Sequence, residues 1–255
     1  MAAALTLAAC SGGSEGAAEP GRPRSACETT RFESSEFTHC TAVPGRHAIR
    51  TVLAGPDGAP LRDLRRLAET LGADAGAVAF AMNGGMYDDA GKPIGYYVES
   101  GKRLHTLNRV PGGGNFGLLP NGVFSVEPDG WHVRTADAFA AKVRRRPAYA
   151  TQSGPMLVIA GKLHPKIAAD GESRNIRNAV GVDRAGRAHF VVSDTAVSFG
   201  RLARMMRDQL GCPDALYLDG SVSAVWDPAT GRIDRTVPLG PLVVVARIDR
   251  RRPPG

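Results

Sequence analysis

Two stretches of the chain carry apolar residues at the spacing of an α-helix. Across residues 60–71, leucine or alanine recurs every three or four positions, and Gly72 follows where a helix commonly ends. Residues 199–210 form a second stretch of this kind, preceded by Ser198, a favoured helix-capping residue, and followed by another glycine. The pattern predicts two amphipathic helices, each with one face turned toward a core.

Short apolar or alternating runs, separated by turn residues, predict β-strands elsewhere. Asn-Gly and Asp-Gly pairs divide the middle of the chain into a meander, and Thr135 is placed to cap a short helix that runs to Val143. Alternation between Cys27 and Cys40 predicts a hairpin. The other predicted strands span residues 47–53, 77–82, 96–98, 103–107, 116–119, 122–126, 131–133, 156–159, 179–182, 188–193, 215–218 and 242–248.

Length and composition favour one folded unit. A chain of 255 residues with 43% hydrophobic side chains can bury a single core. We therefore predict a mixed α/β (α+β) domain over residues 27–248, with a central mixed β-sheet or meander and two main amphipathic helices. Residues 1–26 are predicted to be a lipoprotein-type signal and flexible tether, and residues 249–255 a basic tail. No apolar run reaches the roughly 20 residues of a membrane-spanning helix.

The first residues indicate export. A short apolar run ends at Leu7-Ala8-Ala9-Cys10, an order that looks like the lipobox of bacterial lipoproteins, in which the cysteine is acylated. The run is short and lacks a basic start, so either translation begins upstream or the segment is simply Ala-rich. We expect a lipoprotein of the bacterial cell envelope, periplasmic or on the outer surface, that meets a membrane only through a lipid on Cys10.

The remaining cysteines are expected to be structural. In an oxidising envelope, Cys27 and Cys40 are predicted to form a disulfide that closes a short loop and contributes roughly 3 kcal/mol; the alternative is two unrelated free cysteines. Cys212 is expected to be a buried thiol. No Cys-x-x-Cys pair occurs, and the six histidines lack metal-ligand spacing, so neither a metal site nor a cofactor is predicted. A hard cation held by Asp and Asn oxygens is left open.

Charge and common motifs narrow the function by exclusion. The net charge is +7, but the arginine runs 144–146 and 250–252 are short and have no interleaved aromatic residues, so nucleic acid is not the expected partner. Residues 112–117 satisfy G-x-G-x-x-G, yet they follow a proline and lead into a meander, which excludes the dinucleotide-binding interpretation. No G-x-S-x-G nucleophile elbow occurs.

One arrangement occurs twice and puts polar residues at strand ends. In each copy a helix ends at glycine, an apolar strand follows, and the strand stops at a polar residue plus glycine: Asn83-Gly84 in one copy and Asp219-Gly220 in the other. Ligands of α/β sheets gather beyond the carboxyl ends of strands, so Asn83 and Asp219 would face one crevice if the two units lay side by side. The alternative is shared local structure without a shared site.

Four polar segments are distributed along the chain: Asn83-Gly84-Gly85-Met86-Tyr87, Gln152-Ser153-Gly154-Pro155-Met156-Leu157, Arg177-Asn178-Ala179-Val180-Gly181-Val182 and Leu218-Asp219-Gly220-Ser221-Val222-Ser223. Their order and spacing resemble those of the phosphodiester glycosidase family, in particular its small, envelope-associated bacterial branch, over about residues 27–245. The resemblance implies a mixed α/β fold whose signature residues converge on one pocket, and hydrolysis of the glycosidic bond of a sugar-1-phosphodiester. The last segment lacks two glycines of the animal-type motif, so the resemblance does not imply the same sugar.

Together with the substrate chemistry, the resemblance gives these residues expected roles. Asp219 is expected to stabilise an oxocarbenium-like sugar carbon as nucleophile or base, with Asp194 as a second carboxylate. Arg177 is expected to bind the departing phosphate, assisted by Arg174; a structural ion pair of Arg177 with Asp183 or Asp194 is the alternative. The expected substrate-binding residues supply amide, hydroxyl and ring groups or let backbone NH groups approach: Asn83, Gly84, Gly85, Tyr87, Ser153, Gly154, Asn178, Gly220 and Ser221.

Other functions fit parts of the same pattern. A non-catalytic envelope lipoprotein that binds anionic glycans would use the arginines and glycines but no carboxylate. A structural or assembly lipoprotein would have no reason to bring the polar segments together, and a glycosyl transferase would differ from a hydrolase only in its acceptor. The favoured interpretation is a hydrolase of the cell envelope that acts on a small or polymeric sugar phosphodiester.

Overall fold

The structure is a computed structural model that describes residues 23–219, 222–234 and 238–249. Strands dominate it, in chain order β1 (Cys27–Phe32), β2 (Ser35–Ala42), β3 (His47–Val52), β4 (Val78–Asn83), β5 (Tyr97–Glu99), β6 (Lys102–His105), β7 (Gly122–Glu127), β8 (Gly130–Thr135), β9 (Tyr149–Ser153), β10 (Met156–Ile159), β11 (Lys162–Leu163), β12 (Asn178–Val182), β13 (Ala188–Ser193), β14 (Asp214–Tyr217), β15 (Val225–Asp227), β16 (Arg232–Ile233) and β17 (Leu242–Arg247). Three α-helices accompany these strands among the described residues. The predicted α+β class is confirmed.

The strands form three sheets whose neighbours run antiparallel throughout the described ranges. The first sheet has seven strands in the order β1-β2-β13-β12-β14-β10-β11. The second has five, in the order β16-β15-β4-β17-β3, and the third also has five, in the order β6-β5-β9-β7-β8. The two echoing strands of the sequence, β4 and β14, therefore belong to different sheets.

The core lies where the three sheets face one another. Phe80, Phe190 and Phe124 come one from each sheet, and all three are buried. The ring of Phe190 meets those of Phe80 and Phe124 edge to face, with centroids 5.4 Å and 5.6 Å away. Edge-to-face contacts of this kind add to the free energy gained by burying the rings. One aromatic cluster thus fixes the sheets relative to one another.

The helices begin at capping residues. Thr135 accepts a hydrogen bond from the backbone of Ala138 at the start of α2 (Ala136–Lys142), and Ser198 caps α3 (Phe199–Arg204), which continues as a π-helical turn (Met205–Gln209). Both caps were predicted from the sequence.

Helix α1 (Leu64–Leu71) starts later than predicted. Arg62 has a left-handed backbone (φ 57°), which no helical residue adopts, and Asp63 then caps the helix through the backbone NH of Arg65. At the other end Gly72 has a positive φ of 51° and returns its NH to the carbonyls of the last turn, as the sequence predicted.

The predicted disulfide is confirmed. Cys27 and Cys40 lie opposite each other in the β1–β2 hairpin, with Cα atoms 3.9 Å apart, and are bonded. Cys212 is buried, and burial raises the pKa of its thiol to about 12, so the thiol stays protonated.

The predicted strands differ from the observed ones at two places in particular. Residues 116–119 form a turn rather than a strand, because the loop folds back on itself: a Cβ on Gly117 would lie 2.1 Å from the carbonyl oxygen of Gly112. Strand β9 was not predicted, since polar Thr151, Gln152 and Ser153 are all buried there and break the alternation of apolar and polar positions.

The structure contains no helix, over the described residues, that is long and apolar enough to span a membrane. Cys10 and the predicted signal and tether up to residue 22 lie outside the described residues, as does the tail from residue 250.

Candidate active site

Three polar side chains from separate parts of the sequence meet at one point. Asn83 ends β4, Asn178 begins β12, and Asp219 follows β14. The Asn83 Nδ2 atom donates to Asp219 Oδ2 at 2.9 Å, and the backbone NH of Asp219 donates to Asn178 Oδ1 at 3.0 Å. Asn178 Nδ2 in turn donates to Asn83, to its Oδ1 at 3.1 Å and its carbonyl at 2.9 Å. The structure therefore brings Asn83, Asn178 and Asp219 together from two sheets.

The amide of Asn83 is fully occupied by this arrangement. Besides Asp219, its Nδ2 atom donates to the carbonyl of Val222 at 2.6 Å, and its Oδ1 atom accepts from the backbone of Ala224 at 2.9 Å. Asn83 and Asn178 are both 0% exposed. Neither amide faces a ligand, and instead of the predicted contact to a sugar they orient the Asp219 carboxylate and its loop.

Asp219 lines an open pocket of about 300 Å³. The lining combines apolar and aromatic side chains with polar groups, a composition suited to a sugar ring. Part of the pocket wall is formed by the glycine-rich loop of residues 112–117, which was excluded above as a dinucleotide-binding motif. In the structure this loop contributes to the shape of the pocket. The lining residues besides Asp219 are Met86, Tyr87, Ile94, Gly113, Gly114, Asn115 and Phe116.

Tyr87 is the predicted site residue whose aromatic ring lines this pocket. Its hydroxyl donates to the carbonyl of Pro238 at 2.5 Å, which fixes the ring beside Asp219. Burial raises the pKa of Tyr87, the negative charge of Asp219 raises it further, and Arg62 lowers it. The hydroxyl therefore remains protonated at neutral pH and is a hydrogen-bond donor.

Arg177, the residue expected to bind phosphate, is wholly buried. Its Nε atom donates to the carbonyl of Val197 at 2.9 Å, its NH2 atom donates to the carbonyl and hydroxyl of Ser173 at 3.1 Å, and the ring of Phe199 covers it at 3.7 Å. These groups satisfy the guanidinium inside the protein. A phosphate could reach it only after this packing had opened.

A tyrosine connects Arg177 to the pocket carboxylate. The Arg177 NH1 atom donates to the hydroxyl of Tyr217 at 3.2 Å, and burial raises the pKa of that hydroxyl to about 12, against the lowering effect of Arg177. The charge of Asp219 also acts on Tyr217 and raises its pKa. Arg177 is thus hydrogen bonded to the strand that leads into Asp219.

Asp194 lies in a different depression from Asp219. It accepts from the hydroxyl of Thr38 at 2.9 Å and from Arg232 at 3.4 Å, and it lines a shallow surface with Ile176 and Ser223. Asp194, the expected second carboxylate, is not among the residues that line the pocket containing Asp219.

Asp183, one of the alternative ion-pair partners considered for Arg177, instead contacts Arg187 and His189. Arg174 is exposed and pairs with Asp170 at 2.9 Å, away from the pocket lining. Its expected assistance at the phosphate therefore finds no support in the arrangement of the described residues.

The signature glycines serve packing. The NH of Gly84 already donates to the carbonyl of Pro241 at 2.8 Å, and a Cβ on Gly84 would lie 2.3 Å from a methyl of Val243. A Cβ would likewise meet the Thr151 hydroxyl at 2.5 Å from Gly85 and the Asn121 side chain at 2.8 Å from Gly154. The phosphate contacts expected of these glycines are replaced by close approach of strands.

Two further expectations concern residues near Asp219. Ser153 is buried and its hydroxyl donates to the carbonyl of Leu218 at 2.6 Å, so it holds the strand before Asp219 and does not face the pocket. Gly220 and Ser221 lie outside the described residues.

One group of side chains could present several ligand atoms to a metal ion within the described ranges. Glu127, Asp129 and His132 lie on the β7–β8 hairpin, remote from the lining of the Asp219 pocket. Glu127 is engaged by Arg134 and by Ser125. The group has no geometric relation to the candidate site.

Comparison with known proteins agrees with the geometry. The family model described as phosphodiester glycosidase matches residues 76–239, which contain Asn83, Arg177 and Asp219. The protein YigE of Escherichia coli K12 is 40% identical over 151 residues, which are 59% of this chain and 59% of that protein. The chain therefore matches less than two thirds of the length of this relative.

Solved structures show the same fold. The catalytic domain of zebrafish N-acetylglucosamine-1-phosphodiester alpha-N-acetylglucosaminidase, auto-inhibited by its pro-peptide, aligns with a TM-score of 0.58 at 17% identity, over 88% of this chain and 82% of that one. A protein from Synechocystis aligns with a TM-score of 0.50 at 15% identity, over 87% of this chain and 61% of that one. Given the family match over more than half of its length, this chain belongs to the phosphodiester glycosidase family.

Proposed function

We propose that the protein hydrolyses the glycosidic bond of a sugar-1-phosphodiester, with Asp219 acting at the sugar carbon. The observation that carries this proposal is the position of Asp219, which is 4% exposed at the edge of an open pocket. Its carboxylate accepts from the buried amide of Asn83, and its backbone NH donates to the buried amide of Asn178. Membership of the phosphodiester glycosidase family supports the reaction class.

The chemistry suits a single well-placed carboxylate. Water adds to the sugar carbon, the bond from that carbon to the bridging oxygen breaks, and the phosphomonoester leaves with the bonding electrons. The phosphomonoester is a good leaving group, so it needs little protonation, whereas the oxocarbenium-like carbon needs a nearby negative charge. Asp219 supplies that charge as nucleophile or as base for the water, and the proton of the water passes to solvent.

The neighbours of Asp219 act by orientation. The hydrogen bond from Asn83 fixes one carboxylate oxygen, and the bond from the Asp219 backbone to Asn178 fixes the strand end that carries it. An oriented carboxylate loses less free energy to reorganisation when charge develops on the sugar. The hydroxyl of Tyr87, protonated and on the same pocket wall, is placed to interact with the sugar.

The proposed setting is the bacterial cell envelope, where the protein would process a polysaccharide or glycan phosphate from a lipid anchor on Cys10. The Cys27–Cys40 disulfide supports this setting, because disulfides persist in oxidising compartments such as the periplasm. The lipobox-like residues that end at Cys10 support the anchor.

A product assay tests the proposal. Purified protein is incubated with a panel of sugar-1-phosphodiesters, and free sugar and phosphomonoester are measured together. We expect wild-type protein to release both in equal amounts, and Asp219→Asn to be slowed at least about a hundredfold because the charge at the sugar carbon is lost. Asp74→Asn, which removes an exposed carboxylate elsewhere, is the control and should match the wild type.

The competing function gives a different result. A non-catalytic glycan-binding protein would bind sugar phosphodiesters without releasing products, and its binding would be indifferent to Asp219→Asn. That pair of results across the panel would overturn the hydrolase proposal. Circular dichroism of Asp219→Asn, matched to the wild type, shows that the variant is folded.

A further inference from the structure

Arg62 has a backbone conformation that arginine rarely adopts. Its φ of 57° lies in the left-handed region, where the Cβ atom crowds the following carbonyl oxygen. The residue is held there by its own carbonyl, which accepts from the backbone NH of Leu239 at 2.8 Å, and by Asp63, which begins helix α1. Strain of this kind persists where the surrounding structure requires it, and it concentrates at functional sites.

The side chain of Arg62 carries a second unfavourable feature. Its Nε atom is buried and has no hydrogen-bond partner among the described residues. Buried donors are nearly always paired, because an unpaired donor loses its bonds to water without replacement. The left-handed backbone and the unpaired Nε donor of Arg62 both cost stability. This combination indicates that the guanidinium has a role other than stabilising the fold.

The placement brings a positive charge against Tyr87, one of the residues that line the pocket. The guanidinium carbon of Arg62 lies over the ring of Tyr87, 5.5 Å from its centroid, and the NH1 atom donates to the carbonyl of Asp89 at 3.0 Å. Within the described ranges, no carboxylate lies close enough to form an ion pair with Arg62. The charge is therefore held by a ring and a carbonyl and is not neutralised.

Tyr87 connects this charge to the carboxylate of the site. Tyr87 and Asp219 line the same pocket, and Asp219 and Arg62 act in opposite directions on the pKa of the Tyr87 hydroxyl, Asp219 raising it and Arg62 lowering it. Arg62 itself is not among the residues that line the pocket; it contacts the pocket through the ring of Tyr87. Arg177, which the sequence favoured as the phosphate ligand, is buried away from this pocket.

We propose that Arg62, lying over the ring of Tyr87, holds the phosphate of the substrate and determines the preference for a charged aglycone. This proposal rests on the proposed function, since it assigns a substrate contact to the same pocket. A guanidinium presents paired donors to phosphate oxygens, and its positive charge stabilises the second negative charge that develops on the departing phosphomonoester. Arg62 precedes residues 76–239, so the family match does not contain it.

Two variants separate this role from a structural one. Arg62→Asn removes the charge but keeps a residue that tolerates the left-handed conformation, so folding is retained. Arg66→Asn removes the charge of an exposed arginine on helix α1, which has only a distant partner in Asp57, and serves as the matched control. Circular dichroism and thermal unfolding of both variants confirm that they are folded.

The first measurement compares two substrates with the same sugar, a sugar-1-phosphodiester and an uncharged aryl glycoside. We expect Arg62→Asn to lower kcat/KM for the phosphodiester about a hundredfold, because one charge-assisted contact to the phosphate is lost. The kcat/KM for the aryl glycoside should change less than about threefold. Arg66→Asn should leave both values near those of the wild type. An equal loss on both substrates would overturn the proposal.

The second measurement needs no hydrolysis. Inorganic phosphate is titrated into wild-type protein and both variants by calorimetry; Arg62→Asn should weaken binding at least about tenfold, and Arg66→Asn should not. Equal phosphate binding by Arg62→Asn and the wild type would refute the role of Arg62. If the wild type hydrolyses neither substrate, the proposed function fails, while the titration still decides the claim about Arg62.

Discussion

Arg177 illustrates how a buried charged residue is accommodated by carbonyls, a hydroxyl and an aromatic ring. The carbonyls of Val197 and Ser173 accept from its Nε and NH2 atoms, the Tyr217 hydroxyl accepts from NH1, and the Phe199 ring covers the guanidinium face. Carbonyl dipoles and an aromatic face stabilise a buried cation through hydrogen bonds and cation–π attraction. The fork of donors lets one side chain tie the loop before β12 to strand β14 and helix α3.

Replacing Arg177 by lysine should separate stability from substrate binding. An ammonium cannot reach Val197, Ser173 and Tyr217 at once, so buried acceptors are left unpaired and the free energy of unfolding should fall by about 2–4 kcal/mol. The KM for a sugar-1-phosphodiester should change less than about threefold, because Arg177 does not face the pocket, while kcat falls as Tyr217 and Asp219 lose their alignment. Urea unfolding and steady-state kinetics measure both quantities. A KM raised tenfold at unchanged stability would show that Arg177 contacts phosphate.

At this scale the sequence identified residue types more reliably than their surroundings. It singled out Asn83, Arg177 and Asp219, which the structure places in or next to one network. It could not show that Arg177 is buried, because a buried arginine requires acceptors from distant segments. Arg62 gave no signal, since its left-handed conformation interrupts a stretch that has the spacing of a helix.

Among the elements, ends and caps were predicted best. Thr135, Ser198 and Gly72 act through hydrogen bonds to residues a few positions away, so the local sequence is sufficient to predict them. Strand β9 was missed because its buried polar side chains are satisfied by partners far along the chain, such as Gly84 for Thr151 and Leu218 for Ser153. Such partners leave no local pattern.

A buried pair of histidines joins strands β2 and β13. The rings of His39 and His189 are hydrogen bonded at 2.9 Å, and His189 also contacts Asp183 at 3.1 Å; Glu28 approaches His39 at 3.4 Å, and Arg187 lies beside Asp183. Burial lowers the pKa of His39 to about 4, and the nearby His189 lowers it as well. His39 is therefore neutral in the folded protein at neutral pH.

The pH dependence of stability should report this pair. Between about pH 6.5 and 4 the unfolded chain protonates His39 while the folded protein does not, so stability is fully present above pH 6.5, falls as the pH is lowered toward 4, and levels off below it. The contribution is on the order of 3 kcal/mol. Urea unfolding across this range should show a shallower slope for His39→Gln than for the wild type. The same slope in both proteins would exclude His39 as the cause.

The site depends on the whole molecule. Strand β4 belongs to one five-stranded sheet and β12 and β14 to the seven-stranded sheet, yet Asn83, Asn178 and Asp219 are hydrogen bonded to one another. The contact between the rings of Phe80 and Phe190, one from each of these two sheets, helps to fix the two sheets relative to each other. The sequence pattern predicted that the two polar strand ends would face one crevice if their units lay side by side. Which sheets the strands join is decided by contacts across the full length of the chain.

The central claim is that the protein breaks the bond between the sugar carbon and the bridging oxygen. Hydrolysis of a sugar-1-phosphodiester in heavy-oxygen water, with mass analysis of the released phosphomonoester, tests this directly, because phosphate oxygens do not exchange with water under mild conditions. A carboxylate acting at the sugar carbon leaves the bridging oxygen on the phosphate, so the phosphomonoester should contain no heavy oxygen. A phosphomonoester that carries one heavy oxygen would mean attack at phosphorus and would contradict the role given to Asp219.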